Sequence, residues 1–121
     1  MNGIGCDIIE IERVAGVLER HGPSFLAKTF TPNEQAYCLA RTPPARHFAG
    51  RFAAKEAIAK ALGTGFGAQL AWHEIEILND AQGKPIVHMA PALVKRHQNP
   101  QILVSISHSK DYATAVAICW S

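Results

Sequence analysis

The chain has 121 residues, a formal net charge of +2, and 48% hydrophobic against 18% charged residues. That composition excludes a disordered chain and predicts one globular domain over residues 1–121, with no room for a second core. The small charge, without any Lys/Arg run or aromatic–basic alternation, also speaks against a nucleic-acid binder.

In chain order, the first predicted element is a strand over Ile4–Ile11. Its alternation sets Ile4, Cys6 and Ile8 on one face and Gly5, Asp7, Ile9 and Ile11 on the other. Asp7 falls mid-strand among isoleucines, where a carboxylate needs a partner. The period then turns helical over Glu12–Glu19, with Val14, Val17 and Leu18 inward and Arg13 and Arg20 on an outer face. His21-Gly22-Pro23 is expected to break that helix. Thr31-Pro32 with Glu34 reads as a new helix start: a threonine cap, a proline at the first position and an acid at the third. Thr42-Pro43-Pro44 should end it.

The strongest helix is Arg51–Leu62, rich in alanine and without internal Gly or Pro. Phe48, Phe52, Ala59 and Leu62 share an apolar arc, and Ala49, Ala53 and Ala57 fill much of the remainder. A helix apolar on nearly every side is a buried one, so Arg51, Lys55, Glu56 and Lys60 require partners or ions. Exposed i,i+4 pairing of Glu56 with Lys60 is the plainer alternative. Gly63-Thr64-Gly65-Phe66-Gly67 stops the helix; Gly63 serves as its C-cap, and the loop's amides are candidates for holding phosphate.

A strand follows over Trp72–Leu78, with Ile75 and Ile77 opposite Glu74 and Glu76. Then come a turn at Asn79–Pro85, a short strand Ile86–His88, and a helix from Pro91 to about His97. Gln101–His108 and Tyr112–Cys119 form a hairpin through Ser109-Lys110-Asp111. One early strand, then helices, then hairpin-linked strands indicate the α+β class. Ser107 and His108 are adjacent on a strand and so face opposite ways, which argues against a hydrolase triad. His108 itself reads as a core histidine at a strand end or as a phosphate ligand.

The three cysteines, Cys6, Cys38 and Cys119, have no C-x-x-C spacing, so reduced thiols are expected rather than a zinc site or disulfide scaffold. The N-terminus lacks the pattern of a signal peptide, and no uncharged stretch has membrane-spanning length. A cytoplasmic protein without membrane attachment is expected. The generous apolar fraction favours a homo-oligomer. Asp7 and Glu56 are the candidate metal ligands: two carboxylates on separate elements, with Lys60 one turn beyond, suit Mg²⁺ on a diphosphate. A purely structural Asp7, bonded to amides or Arg13, is the alternative.

Three segments together resemble the short holo-[acyl-carrier-protein] synthases, the single-half group of 4'-phosphopantetheinyl transferases. Gly3–Arg13 is similar to the family's G-x-D…R opening. Phe48–Gly65 is close to its R-[FW]-x-x-K-E-A-x-x-K-A-x-G-T-G core. Val104–Ala113 is similar to its closing S-x-[ST]-H-[ST]-x-x-Y-A, and Asn79-Asp80…Gly83-Lys84-Pro85 fits between them. The segments span essentially the whole chain in the family's order.

The resemblance implies an α+β fold with antiparallel strands, one long helix and several short ones, assembled as a homotrimer with coenzyme A where subunits meet. It implies transfer of 4'-phosphopantetheine from coenzyme A to a serine of apo acyl carrier protein for fatty acid biosynthesis, releasing adenosine 3',5'-bisphosphate. Asp7 and Glu56 would hold Mg²⁺, and Lys60 would stabilise the phosphoryl group or the leaving group. Glu56 or a metal-bound water would take the serine proton. Arg46, Arg51, Lys55, Gly63, Thr64, Gly65, Lys84 and His108 would contact coenzyme A. Arg13 and Arg20 would meet the acidic carrier protein. Two departures stand out: Cys6 before the aspartate, and Pro43-Pro44 in a loop that is more basic in some relatives, leaving Arg41 and Arg46 for the adenosine 3'-phosphate. Other readings are a transferase serving polyketide or peptide synthase carriers, and a silent trimeric module that only binds coenzyme A or a carrier.

Overall fold

The computed structural model describes residues 2–121. Its chain runs β1 (Asn2–Glu10), α1 (Ile11–Thr29), α2 (Pro32–Leu39), α3 (Pro44–Leu62), a 3-10 turn (Trp72–Glu74), β2 (Ile75–Asn79), β3 (Pro85–Met89), α4 (Pro91–Arg96), β4 (Gln101–His108) and β5 (Tyr112–Trp120). Three strands form an antiparallel sheet in the order β1-β5-β4, and β2-β3 is a separate hairpin. This is the expected α+β architecture. No helix among the described residues is long and apolar enough to cross a membrane.

The organising element is α3, which lies on the inner face of the three-stranded sheet. It is buried around most of its circumference, as its alanine content demands. On one side Ile58 and Leu62 pack with Leu70, Ile75, Ile77 and Leu93. On the other, Phe48 and Ala49 join Ile11, Val14, Phe30 and Cys38.

The inner residues of β5 are Ala113, Ala115, Ala117 and Cys119, all buried. Small side chains on both surfaces let helix and sheet approach closely. Glycine completes the fit at β1: a Cβ on Gly5 would stand 1.9 Å from the Ala57 carbonyl oxygen, and one on Gly3 would stand 2.0 Å from that of Ala61. No side chain fits there, so the strand is held against the helix backbone itself.

The large apolar residues of the sheet face outward instead. Ile4 is 71% exposed and Ile8 64%, with Leu103, Val116, Ile118 and Trp120 also exposed. Ile4, Ile118 and Leu103 stand in one row across the three strands. Period-2 alternation was legible in the sequence, but here the bulky half of the pattern points away from the core.

The break expected at His21-Gly22-Pro23 is present: α1 consists of two helical stretches that meet in a kink at His21 (φ −138°, ψ 30°), the second running to Thr29. Pro23 falls in the first turn after the kink, where its missing N–H costs little. Two other local expectations are revised. The strand predicted from Trp72 begins at Ile75, because Trp72–Glu74 winds into the 3-10 turn with Glu74 accepting the Ala71 amide at 2.9 Å. Finally, α3 starts at Pro44, two turns ahead of the alanine-rich core, and Thr42–Pro43 is a cis peptide. The capping box at Thr31 and Glu34 is present with both hydrogen bonds.

Candidate active site

Asp7 and Glu56, far apart in sequence, line the same cavity of about 460 Å³. The close approach of β1 to α3 brings them together. The nearby charge of Asp7 and, more strongly, burial raise the Glu56 carboxyl above its usual value, while Lys60 opposes this. Two carboxylates lining one cavity form a donor set suited to a hard divalent cation, which binds one or two carboxylates and keeps its remaining positions for water or phosphate oxygens. The described residues contain no group of three or more His, Cys, Asp or Glu that could hold a metal ion.

Lys60 does not form the i,i+4 pair with Glu56 that the helix spacing offers. Its Nζ reaches across to β1, donating to the Cys6 carbonyl at 2.9 Å and to Asp7 Oδ1 at 3.2 Å. The lysine side chain is 55% exposed, so this ion pair contributes little to stability and the ammonium is free to turn toward an anion. Arg13 and Glu10 also line the cavity, and Phe25, Phe52, Val14 and Tyr112 supply an apolar wall. Arg20 lies one helical face along α1, exposed, with its guanidinium over Gly16.

A second cavity, about 170 Å³, opens between the N-terminal half of α3, β4 and the β2–β3 turn. It is basic. Arg46, His47, Arg51 and His108 line it with Tyr37 and Asn79. Arg51 is buried; its Nε donates to the Ile77 carbonyl at 3.1 Å, its Nη2 bonds Asn79 Oδ1, and its guanidinium stacks on Tyr37, as does that of Arg41. Arg46 Nε is buried without a hydrogen-bond partner among the described residues, an arrangement that an incoming acceptor would complete. His108 is exposed at the cavity mouth, so the core reading of this histidine does not hold.

Several other predicted contacts are placed elsewhere. Lys55 cannot reach a ligand. It is fully buried, and its Nζ donates to Glu34 Oε1 at 2.7 Å, to the Thr29 carbonyl at 2.9 Å and to the Trp72 carbonyl at 3.0 Å, which uses all three of its protons. The amides of Gly63 and Thr64 are likewise committed, both donating to the Ala59 carbonyl in the C-cap of α3, and the Thr64 hydroxyl donates to the Gly65 carbonyl. Gly65 sits in the left-handed region at φ +63°. Lys84 is an exposed turn residue between Gly83 and Pro85, which themselves line the basic cavity.

Sequence reasoning missed Glu34 as the partner of Lys55, did not single out Tyr37 or His47, and read Asn79 only as part of a turn segment. The tertiary partner of Glu34 carries no local signature. His47 was findable as the residue beside Arg46, which the resemblance had already placed at coenzyme A.

Comparison with known proteins identifies the family. Residues 3–117 match the family described as the 4'-phosphopantetheinyl transferase superfamily. The chain is 56% identical over 119 residues to the holo-[acyl-carrier-protein] synthase of Protochlamydia amoebophila, covering 98% of this chain and 97% of that one. Its fold superposes on the holo-[acyl-carrier-protein] synthase of Helicobacter pylori in complex with coenzyme A (TM-score 0.88, 31% identity, 97% and 99% of the two chains). It superposes equally on that of Neisseria meningitidis (TM-score 0.89, 34% identity, 98% of each). With the motifs, the paired carboxylates and the whole-length matches in agreement, the chain belongs to the holo-[acyl-carrier-protein] synthase family of the 4'-phosphopantetheinyl transferases.

Proposed function

We propose that this single domain is a cytoplasmic, Mg²⁺-dependent holo-[acyl-carrier-protein] synthase. It moves the 4'-phosphopantetheine arm of coenzyme A onto a serine of apo acyl carrier protein for fatty acid biosynthesis and releases adenosine 3',5'-bisphosphate. The observation that carries this reading is the division of the charged side chains into two cavities that share no lining residue, one acidic and one basic. The relatives' names and the coenzyme A bound to one of them support it.

Both cavities serve one substrate if copies of the chain assemble through the outward apolar face of the sheet. That face then brings the acidic cavity of one subunit against the basic cavity of the next, in a homotrimer. Its row of Ile4, Ile118 and Leu103 has no other cover. We expect Ile118→Glu to shift the sedimenting species from trimer to monomer and to lower transferase activity by at least about tenfold, because each site loses half its walls. Retention of the trimer with full activity would place the interface elsewhere.

In this reading Mg²⁺ held by Asp7 and Glu56 supplies charge neutralisation to the diphosphate. The serine oxygen forms the new P–O bond at the phosphorus next to pantetheine, and the bond to the adenosine bisphosphate breaks. Glu56, or a water beside it in the same cavity, takes the serine proton. Lys60 turns from Asp7 to the phosphoryl oxygens. Arg46, Arg51 and His108 hold the phosphate of the adenosine end, with Lys84 at the rim. Arg13 and Arg20 meet the acidic carrier helix, which makes the encounter salt-sensitive.

The deciding experiment is the mass of apo carrier protein after incubation with coenzyme A and Mg²⁺. The expected result is a gain of one phosphopantetheine, absent when Mg²⁺ is chelated. Binding of coenzyme A without any mass gain on apo carriers would make the chain a binding module instead.

A further inference from the structure

His47 sits one residue after Arg46 on α3, lining the basic cavity with Arg46, Arg51 and His108. Its ring lies 6.1 Å from that of His108 on β4 and 6.1 Å from that of Tyr37 on α2, edge-on to both. The permanently charged groups around it are cations, Arg41 after α2 and Arg46 and Arg51 on α3, and the titratable His108 faces it from β4. Asn79 on β2 and Tyr37 on α2 are its other polar neighbours. Burial first, and then Arg51, His108, Arg41 and Arg46, hold the imidazole below its ordinary pKa. These surroundings keep His47 neutral at physiological pH.

Resting on the transferase reading above, we propose that His47 is a proton-coupled ligand for the phosphate monoester of coenzyme A, taking up a proton as that phosphate enters the basic cavity. A phosphate dianion reverses the local field, since it places about two negative charges among three arginines. The same enclosure that disfavoured a further cation then favours it. The cavity, at about 170 Å³, has room for one phosphate group rather than a whole nucleotide. A monoester suits it better than the diphosphate, which belongs with the carboxylate pair and Lys60. The unpartnered Arg46 Nε, one residue away, offers a donor to the same group.

The sign of the linkage follows. His47 has a lowered pKa in the free protein and a higher one in the complex, so binding takes up a proton between those two values. Affinity is greatest below the free-state value and declines as pH rises through that of the complex.

The test is isothermal titration calorimetry of the full chain in buffers of differing ionisation enthalpy, from pH 7.0 to 8.5. Coenzyme A and 3'-dephospho-coenzyme A are the two probes. For the wild type, coenzyme A should bind with net proton uptake, and its affinity should fall about five- to tenfold across this range. The dephospho compound should bind more weakly, without uptake and with little pH dependence. His47→Gln should abolish the uptake and flatten the coenzyme A profile to within about twofold, whereas His108→Gln should weaken binding yet keep the uptake. Uptake that survives His47→Gln, disappears with His108→Gln, or is equal for both probes would overturn the role of His47 while leaving the transferase reading intact. Failure of coenzyme A to bind at any pH would overturn both.

Discussion

Lys55→Met will lower the free energy of unfolding by about 3–5 kcal/mol, the typical loss when one partner of a buried ion pair is removed. The pair is closed to water: both side chains are 0% exposed. Glu34 also accepts the amides of Thr31 at 2.9 Å and Ile77 at 2.8 Å, so its charge cannot turn toward solvent once the lysine is gone. The ammonium ties the end of α1, the start of α2, α3 and the 3-10 turn to one point, through Thr29, Glu34 and Trp72. Burial pulls the lysine pKa down and Glu34 pulls it back, the mark of a charge kept by its partner. At this chain length the loss corresponds to a melting temperature lower by roughly 10–20 °C, measurable by calorimetry.

Glu34→Gln in the same chain should recover about 1–2 kcal/mol, because it removes the stranded charge. A loss under about 1 kcal/mol for Lys55→Met would mean that the pair is not closed to water. Assayed well below its melting point, the variant should keep the KM for coenzyme A, which separates this structural role from the substrate contact expected of Lys55.

That lysine shows where sequence reading stops. The apolar arc of α3 predicted burial correctly, and burial in turn demanded a partner for every charge on it. Four of the five charged residues on α3 find four different environments: Arg51 on the backbone of β2, Lys55 on Glu34, Lys60 across on β1, and Glu56 beside Asp7. Spacing along the helix ranks only neighbours three and four residues away. All four outcomes were decided by what packs opposite, which the local pattern does not encode.

The strands were more legible because their period is fixed at two, and β4 and the β4–β5 hairpin fall where the alternation puts them. Which half of the alternation faces the core was not legible in β5, where alanine and a large apolar residue alternate. Packing against a helix that is itself alanine-rich selects the small half and leaves the large half for a second surface. The break at His21 was legible in its His-Gly-Pro residues; the second helical stretch beyond it was not, since it is carried by Phe25 and Leu26 packing against the core.

Glu56→Gln should reduce phosphopantetheine transfer by at least about 100- to 1,000-fold, the scale of losing one preorganised electrostatic contact at a phosphoryl centre. The amide keeps the shape of the carboxylate but supplies neither a negative metal ligand nor a proton acceptor. Glu56 is also a strained charge in the metal-free protein, because burial and Asp7 both push its proton affinity up. A carboxyl whose folded pKa lies above its unfolded value destabilises the fold once ionised. The penalty is absent below the ordinary value of 4.5, where both states are protonated, and is fully present above the raised value.

The same substitution should therefore raise the melting temperature of metal-free protein at neutral pH, with the gain vanishing in acid. It should also remove the stabilisation that Mg²⁺ confers on the wild type. Three readouts thus move together: activity falls, metal-free stability rises, and the Mg²⁺-dependent shift disappears. Asp7→Asn should reproduce the first and third, though it additionally loses the Lys60 pair. Full activity with an unchanged Mg²⁺ shift in Glu56→Gln would remove this carboxylate from the metal site, whatever the fold resembles. Lost activity with an intact Mg²⁺ shift would instead keep Glu56 as the proton acceptor and assign the ion to Asp7 alone.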